Sequence, residues 1–305
     1  PDSARATYSR SKSTMAMGKY AAIVVALVGY FLADAFWEVD VTQLKGHRVL
    51  LCGASKGIGR DLARQYAEAG ADLVVVARTE SELVSLKTEL ETKYKTRVHV
   101  VTADLSSEAG VDEMIRKVHE DVGWKSLDVL VLNHLMVCYG KFLQKFKGMH
   151  ADMSYLTKSV HVNQLSYFQI ATKTISMLNQ STSPTGASII AVSSLAGKIG
   201  MPLTTGYAAS KHALHGFFSA LRHDLIMEGI PPTKIGVTLS VLGNIDTEAN
   251  REVTKGLLPE WLEKHPVDEA ATSILQGGLQ RRRESYYPYR ECVPMLYLQF
   301  FFPAF

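Results

Sequence analysis

The sequence predicts an α/β protein: a single doubly wound domain with a parallel seven-stranded sheet, preceded by an N-terminal membrane anchor helix. Three observations support this prediction. From about residue 47, short β-branched runs alternate with longer amphipathic stretches, which is typical of parallel strands covered by helices on both faces. A glycine-rich turn directly follows the first of these runs. A long apolar stretch, residues 19–36, precedes the domain.

Seven runs are predicted strands: 48–52, 72–77, 98–103, 127–133, 187–194, 235–242 and 285–289. Six stretches have helical periodicity: 58–69, 80–95, 108–122, 152–179, 206–228 and 267–281. The strands are almost continuously apolar, which indicates burial on both faces. No internal repeat, low-complexity region or linker follows residue 47, so the pattern predicts one domain.

Composition narrows the class of protein. The 305 residues are 47% hydrophobic and 21% charged, which is enough to fill a substantial core. The net charge of +3 is too small, and the basic residues too scattered, to suggest nucleic-acid binding. The three cysteines lack the spacing of a zinc site or a disulfide framework. We therefore expect no metal and no nucleic-acid partner.

The apolar N-terminal stretch divides the chain into three parts. Residues 1–19 are polar and basic, 20–36 are the predicted membrane anchor, and 37–305 are the predicted catalytic domain with an apolar C-terminal tail. At about 1.5 Å per residue, the stretch just spans a hydrocarbon core of ~30 Å. A cleaved signal peptide is the alternative, but no clear small-residue cleavage site follows the apolar run.

The charges flanking this stretch predict its orientation. Basic residues precede it and Glu38 and Asp40 follow it, which places the N-terminus in the cytoplasm and the domain across the membrane. Asn179 opens the one N-x-S/T sequon of the sequence, in a polar loop that fits a lumenal location. Whether Asn179 is glycosylated stays open.

A glycine turn joins the first strand to the first helix. Gly53, Gly57 and Gly59 give the pattern G-x-x-x-G-x-G. Glycines here let the backbone approach a pyrophosphate, and the helix N-terminus supplies amide donors. The turn therefore predicts a Rossmann-type dinucleotide site. The other cofactor contacts expected in this loop are Ser55, Lys56 and Ile58.

The end of the second strand indicates which dinucleotide binds. NAD sites usually place a carboxylate there for the ribose hydroxyl. Here the strand ends at Ala77-Arg78, the next acid is Glu80, and Lys56 lies in the glycine loop. Two cations favour a 2′-phosphate on the adenosine ribose, because the arginine guanidinium forms paired hydrogen bonds with phosphate oxygens. The expected cofactor is NADP(H); solvated surface charges are the alternative interpretation.

Polar residues end the third and fourth strands, where parallel sheets bind ligands. Asp104 could accept a hydrogen bond from the adenine amino group, and it could equally cap the next helix. Asn133 is expected at the cofactor crevice. Its neighbour His134 is expected to be a packed, hydrogen-bonded residue rather than a catalyst.

Tyr207 and Lys211 lie four residues apart at the start of a predicted helix, so they share a face. A cation close to a phenol favours the phenolate and lowers its pKa, which makes proton transfer usable near neutral pH. Ser194 ends the fifth strand, thirteen residues before Tyr207. A short loop can bring their hydroxyls together.

The glycine turn, the serine after strand five and the Y-x-x-x-K pair together resemble the short-chain dehydrogenase/reductase superfamily, from about residue 47 to at least 290. The resemblance implies that Tyr207 exchanges the proton with the substrate oxygen. It implies that Lys211 lowers the tyrosine pKa and holds the nicotinamide ribose, and that Ser194 polarises the substrate oxygen. Asn163 matches the helix asparagine that holds a water in the proton relay.

Segments outside this core, such as "VLNHLM" and "ILQGGLQRRRESYYP", are similar to the 11β-hydroxysteroid dehydrogenases of type 1 and their relatives. That resemblance implies Ile245 and Thr247 as contacts to the nicotinamide end. It also implies a single-anchor protein of the endoplasmic reticulum membrane, with a lumenal domain that uses NADP(H) and forms a homodimer.

The substrate side departs from that group. Met201 stands where the type 1 enzymes have a tyrosine that binds the steroid, and Asn244 replaces a leucine of their pocket. Selectivity that depends on hydrogen bonds to the substrate is sensitive to such changes. We therefore expect a lipophilic ketone or secondary alcohol as the substrate, and we do not predict that it is a glucocorticoid. The expected substrate contacts are Ser194, Leu195, Met201, Tyr207 and Asn244.

Three other functions compete with the steroid-like assignment. The protein could reduce non-steroid lipophilic carbonyls, or it could be a catalytically silent dinucleotide-binding membrane scaffold. The presence of Asn163, Ser194, Tyr207 and Lys211 disfavours the scaffold. A nucleotide-sugar epimerase also uses Y-x-x-x-K, but its usual glycine pattern is absent from this sequence. The apolar tail, residues 293–305, could contact the membrane, pack, or mediate oligomerisation.

Overall fold

A computed structural model describes residues 39–145, 148, 152–257, 259 and 262–302. The chain divides into two units, Pro1–Val39 and Asp40–Phe305, and the fold below is that of the second. The predicted anchor, 20–36, lies outside the described residues. No helix within the described ranges combines the length and the apolar character needed to cross a bilayer.

The described chain forms one parallel sheet with the strand order β3-β2-β1-β4-β5-β6-β7. Its strands are β1 Arg48–Cys52, β2 Asp72–Ala77, β3 Val98–Thr102, β4 Val129–Leu132, β5 Ala187–Ser194, β6 Ile235–Leu242 and β7 Glu284–Tyr287. This confirms the α/β fold with a seven-stranded parallel sheet. The strand order reverses between β1 and β4, and ligands bind at such a point in doubly wound sheets.

Helices connect the strands. They are α1 Gly57–Glu68, α2 Glu80–Tyr94, α3 Glu108–Arg116, α4 Phe142–Lys145, α5 Ser154–Val160, α6 Ser166–Asn179, α7 Thr205–Met227, α8 Glu248–Thr254, α9 Val267–Leu279 and α10 Tyr289–Phe301. Short 3-10 turns occupy Val41–Leu44 and Leu195–Gly197. Turns of π-helix occupy Lys117–Asp121 and His161–Leu165.

Two apolar cores flank the sheet, because side chains on a strand alternate between its faces. Leu50 joins the core beneath α3, α6 and α7, whereas Leu51 joins the core beneath α1, α2 and α9. Both side chains are fully buried. This two-sided burial explains why most residues in the interior of the strands are apolar or small.

The predicted helices and strands differ from the structure mainly at their ends. The run 127–133 forms a strand over Val129–Leu132 only, since Asn133 already turns toward the cleft. The stretch 152–179 is helical from Ser154, with its middle turn widened at His161–Leu165. The sequence interpretation did not predict α4, α8 or α10 as helices.

Candidate active site

A cleft of about 430 Å³ opens at the carboxyl edge of the sheet. Residues from the ends of β1, β2, β3 and β4 line it, together with the start of α8. The structure brings these predicted cofactor residues together in the cleft: Gly53, Ser55, Lys56, Gly57, Ile58, Arg78, Asp104, Asn133 and Thr247. The other predicted cofactor residues, Gly59, Ile245, Tyr207 and Lys211, do not line it directly.

The glycine turn has a backbone that other residues would disturb. Gly53 and Gly57 have φ angles of +88° and +53°, a left-handed region that favours glycine. A Cβ at Gly53 would lie 2.6 Å from the Cα of His134, and one at Gly59 would collide with the carbonyl oxygen of Gly53. Since no side chain caps the start of α1, its first amide groups are available to an anion. The turn therefore fits the pyrophosphate of a dinucleotide.

Two cations lie where the adenosine end of such a cofactor would bind. Arg78 follows β2, is exposed, and makes no ion pair with any residue in the described ranges. Lys56 Nζ lies 3.7 Å from Glu248 Oε2, and both side chains are largely exposed at 64% and 69%. A pair this exposed contributes little stability, so Lys56 can exchange Glu248 for a phosphate at small cost.

Asp104 lines the cleft but does not cap α3. Its carboxylate accepts from the backbone N–H of Ser106 at 3.1 Å and from the Ser106 hydroxyl at 3.0 Å. Ser107 is the N-cap, and its Oγ accepts from the Gly110 N–H at 3.2 Å. The capping role, which the sequence offered for Asp104 together with adenine recognition, was therefore wrong, because the local turn orients its carboxylate to Ser106. A role in adenine recognition stays a prediction.

Asn133 and His134 form the wall between the glycine turn and the fourth strand. The amide of Asn133 donates to the Gly53 carbonyl at 3.1 Å and so fixes the turn. His134 Nε2 lies 2.8 Å from Ser166 Oγ, whose proton goes to the Val162 carbonyl, so the imidazole donates from Nε2. Burial, and then the nearby Lys211, lower the His134 pKa to about 3. His134 is thus a neutral, packed residue, as its sequence position predicted.

Tyr207 and Lys211 lie on the inner face of α7, both less than 10% exposed. Lys211 Nζ donates to the Val192 carbonyl at 2.8 Å. It lies 4.9 Å from the ring centroid of Tyr167 and 5.8 Å from that of Tyr207. The ammonium is therefore held beneath both phenol rings by a strand carbonyl, and Tyr167 is a neighbour that the sequence interpretation did not identify.

The ionisation of this pair departs from expectation. Burial raises the pKa of Tyr207, the Tyr139 phenol adds to that rise, and the Ser194 hydroxyl opposes it. Burial also lowers the pKa of Lys211 to about 7. Lys211 does not offset this rise in the described arrangement, because its ammonium is directed to a carbonyl and desolvation dominates; the role that the resemblance implies for Lys211 stays a prediction. Tyr207 is therefore a protonated phenol at neutral pH.

Ser194 ends β5 beside Tyr207, as the spacing predicted. Its Oγ donates to the Leu242 carbonyl at 3.3 Å and accepts from the Ala196 N–H at 3.2 Å. These two contacts fix the hydroxyl between the ends of β5 and β6. The next residue, Leu195, is buried in the 3-10 turn that leads toward α7.

Asn163 lies in the π turn between α5 and α6 and is fully buried. Its Oδ1 accepts from the Met136 N–H at 2.7 Å, and its Nδ2 donates to the Met136 carbonyl at 2.7 Å and to Ser159 Oγ at 3.1 Å. π turns are frequent at functional sites. Both N–H groups of the Asn163 side chain already donate hydrogen bonds to protein atoms. A water bound here would therefore have to donate to acceptor positions that are still free.

The predicted substrate residues separate into two environments. Met201 packs against the cluster that contains Tyr207. Asn244 instead uses its amide within its own loop: it donates to the Glu263 carbonyl at 2.8 Å and accepts from the Asn250 amide at 2.8 Å. Both sides of the Asn244 amide are therefore engaged with protein, which weakens its case as a polar substrate contact.

Two further groups were not found from the sequence. Ser193 Oγ lies 2.9 Å from His215 Nε2, and His215 Nδ1 lies 3.2 Å from Glu284 Oε1, which braces β5, α7 and β7 next to Ser194. A separate cluster contains atoms that could ligate a metal ion: those of Glu263, His265 and Glu291 lie within 4.8 Å of one another. Within it, His265 is already paired with Glu291 at 2.8 Å. These pairs depend on chain segments far apart in sequence.

The sequence profile of the family described as short chain dehydrogenase matches residues 47–257. Two curated relatives are described as hydroxysteroid 11-beta-dehydrogenase 1-like proteins. The Xenopus tropicalis protein is 39% identical over 267 residues, which cover 88% of this chain and 86% of the relative. The Gallus gallus protein is 38% identical over 266 residues, which cover 87% and 86%.

Solved structures share the fold. A short-chain dehydrogenase from Sphingobium yanoikuyae in complex with NADPH superposes with a TM-score of 0.68 at 23% identity, covering 85% of this chain and 94% of that chain. A short-chain dehydrogenase/reductase from Burkholderia phymatum in complex with NAD gives a TM-score of 0.71 at 21% identity, covering 86% and 95%. One neighbour holds NADPH and the other holds NAD, so the fold does not choose between the two dinucleotides.

Proposed function

Because the chain belongs to the short-chain dehydrogenase family, and is thus an oxidoreductase, we propose that it uses NADP(H) to interconvert a ketone and a secondary alcohol on a steroid-like or other lipophilic substrate. The observation that carries this proposal is the convergence of Ser194, Tyr207 and Lys211, which are buried next to one another where β5 ends and α7 begins. The names of the curated relatives support a steroid-like substrate.

Each residue has a distinct role in this proposal. When bound, the nicotinamide cofactor supplies or accepts a hydride at the substrate carbon. Tyr207, protonated at neutral pH, donates its phenolic proton to the carbonyl oxygen. Ser194 turns its hydroxyl proton from the Leu242 carbonyl to the same substrate oxygen, while its Oγ still accepts from the Ala196 N–H. Lys211 restores the proton and holds the ribose, and Asn163 supports the relay through the π turn.

The preference for NADP(H) over NAD(H) is supported by charge at the end of β2. Arg78 lines the cleft without an ion pair among the described residues, and Lys56 has an exposed, weak partner. Two acids, Glu248 and Glu252, lie across the same cleft. A 2′-phosphate would pair with the cations, whereas an NAD ribose would leave Arg78 without a ligand.

We expect Arg78→Ala to raise the KM for NADPH by roughly 10- to 100-fold, because a charge-assisted phosphate contact contributes about 1.5–3 kcal/mol. The KM for NADH should stay within about twofold, since NADH has no phosphate there. Initial rates at varied cofactor concentration measure both values. Arg97→Ala, an exposed arginine paired with Asp72 before β3, is the matched control. Equal losses for both cofactors would contradict the assignment.

The raised pKa of Tyr207 predicts how the two directions depend on pH. Ketone reduction needs the protonated phenol, so it should not lose rate through deprotonation of Tyr207 below about pH 10. Alcohol oxidation needs the phenolate, so its rate should still be rising between about pH 8 and about pH 10. Initial rates in both directions, with a stability check across the range, test this. A plateau of oxidation below about pH 8 would contradict it.

We also propose a location. Residues 20–36 would anchor the protein in the endoplasmic reticulum membrane with the catalytic domain in the lumen, as a homodimer. The exposed position of Asn179 at the end of α6 is compatible with glycosylation. An exposed apolar surface at the C-terminus supports membrane contact: its members are Met295, Tyr297, Leu298, Phe300, Phe301 and Phe302. Such a surface would receive lipophilic substrates from the bilayer.

The function is tested with the full-length protein in detergent micelles. NADPH oxidation is followed with 11-ketosteroids, other ketosteroids and non-steroid lipophilic ketones, and NADH replaces NADPH as the cofactor control. Turnover of ketosteroids supports the steroid-like assignment. Turnover of the non-steroid ketones alone would support the proposed reduction of ketones and would contradict a steroid-like substrate. NADPH binding without turnover across the panel would favour the silent scaffold.

A further inference from the structure

Tyr139 brings a second phenol to the catalytic tyrosine from outside the recognised motifs. It lies in the irregular segment between β4 and α4. The neighbouring Gly140 donates its backbone N–H to the Leu203 carbonyl at 2.8 Å, which ties this segment to the loop before α7. This hydrogen bond holds the segment that carries Tyr139 close to the N-terminal turn of α7, where Tyr207 lies.

The two phenol rings are direct neighbours. The ring centroids of Tyr139 and Tyr207 are 5.5 Å apart, with the planes tilted by 38°. Both rings belong to one small apolar cluster outside the two main cores; its other members are Cys138, Leu156, Ala196, Met201 and Ala208. A ring separation of this size leaves no room for a substrate between the phenols. A substrate at Tyr207 must therefore lie along the edges of both rings.

The Tyr139 hydroxyl differs from the other phenols of this region. It makes no hydrogen bond to any residue within the described ranges. By contrast, the Tyr167 hydroxyl donates to the His134 carbonyl at 2.7 Å, and the Tyr155 hydroxyl donates to the Val137 carbonyl. The Tyr139 ring is largely withdrawn from water, and this raises its pKa. Because the residue is only half-buried, water reaches the hydroxyl oxygen in the free protein, and a ligand oxygen can replace that water without breaking a bond to the protein.

We propose that Tyr139 is a specificity-determining residue whose hydroxyl hydrogen-bonds a second oxygen of the substrate. This inference rests on the proposed function. Because the two phenol rings pack against each other, one rigid substrate can reach both hydroxyls, and a second oxygen on a ring fused to the reacting ring is the arrangement that we propose. The preferred substrate is then a fused-ring ketone with a nearby hydroxyl or carbonyl group. The apolar remainder of the cluster, including Met201, would contact its hydrocarbon surface.

The test uses two 11-ketosteroids that differ only in whether the adjacent five-membered ring carries a hydroxyl group. Each is assayed with the wild-type protein, Tyr139→Phe and Tyr155→Phe, all full-length. Tyr139→Phe retains the ring and removes the oxygen, so kcat/KM for the hydroxylated ketone should fall roughly three- to tenfold, the size of one neutral hydrogen bond. The value for the ketone without the hydroxyl should change by less than about twofold. Tyr155→Phe should leave the ratio between the two substrates unchanged, because its hydroxyl already has a protein partner.

The outcomes separate this inference from the proposed function. Equal effects of Tyr139→Phe on both substrates, with unchanged melting temperature and NADPH affinity, would overturn the role of Tyr139 alone. An altered substrate ratio in Tyr155→Phe as well would also overturn it, because the effect would then come from the shape of the cluster. Failure of the wild-type protein to reduce either ketone would instead count against the ketosteroid assignment, and the same comparison would move to a pair of non-steroid fused-ring ketones.

Discussion

Tyr207→Phe will reduce ketone turnover by about 10²–10⁴-fold, the usual contribution of a positioned proton donor. Phenylalanine fills the same volume in the cluster with Met201 and Tyr139, so the site should keep its shape. NADPH affinity should stay within about twofold, since Tyr207 does not line the cofactor cleft. The measurement is NADPH oxidation with a ketone that the wild-type protein reduces, together with a fluorescence titration of NADPH.

A second buried tyrosine provides the control for Tyr207→Phe. Tyr66 is 1% exposed in the core beneath α1, and burial raises its pKa too. Tyr66→Phe removes a buried phenol of the same kind away from the cluster, so its turnover should match that of the wild type. If Tyr207→Phe kept turnover within about tenfold of the wild type, another group would have to donate the proton.

Lys211→Met will abolish efficient turnover and at the same time stabilise the fold near neutral pH. The cause is the burial of an ammonium at 2% exposure, which lowers the Lys211 pKa from 10.5 to about 7. Between these two pH values the unfolded chain binds more protons at this residue than the folded chain, so wild-type stability rises with pH across that window. Below about pH 7 Lys211 is protonated in both the folded and the unfolded chain. The free-energy cost of burying the ammonium is then at its maximum and no longer changes with pH.

Methionine carries no charge, so the variant lacks this cost. The variant should be more stable than the wild type by up to roughly 4 kcal/mol near pH 7. Loss of the hydrogen bond to the Val192 carbonyl offsets about 1 kcal/mol of that gain. The gap should close as the pH rises toward 10.5, the ordinary lysine value. Urea unfolding of both proteins at about pH 6.5, about pH 8 and about pH 9.5 measures it.

A stability gap that did not change with pH would contradict the buried, titrating ammonium. Lys234→Met is the matched control, because Lys234 Nζ also donates to a backbone carbonyl, that of Ser181, at 2.9 Å. Its position is only partly buried, so its effect on stability should be small and unfavourable. A more stable yet inactive Lys211 variant would show that the chain maintains this residue for its chemistry at the expense of stability.

The sequence was sufficient for the architecture and for most of the predicted residues that line the cleft. Strands such as Asp72–Ala77 were located from continuous apolar runs, because burial on both sheet faces leaves little place for polar residues. The glycine turn was located because close backbone contacts, such as Gly59 against Gly53, exclude any side chain. Both are local requirements, so they are visible in a short stretch of chain.

The sequence by itself therefore determined the doubly wound fold, the dinucleotide turn and the pairing of Tyr207 with Lys211 on one helical face. Only the tertiary structure decided their ionisation and surroundings. It raised the pKa of Tyr207 where the spacing predicted a lower one, it replaced Asp104 by Ser107 as helix cap, and it placed Tyr139 against the Tyr207 ring. Desolvation and contacts between distant segments depend on how strands and loops meet, and no local pattern specifies that.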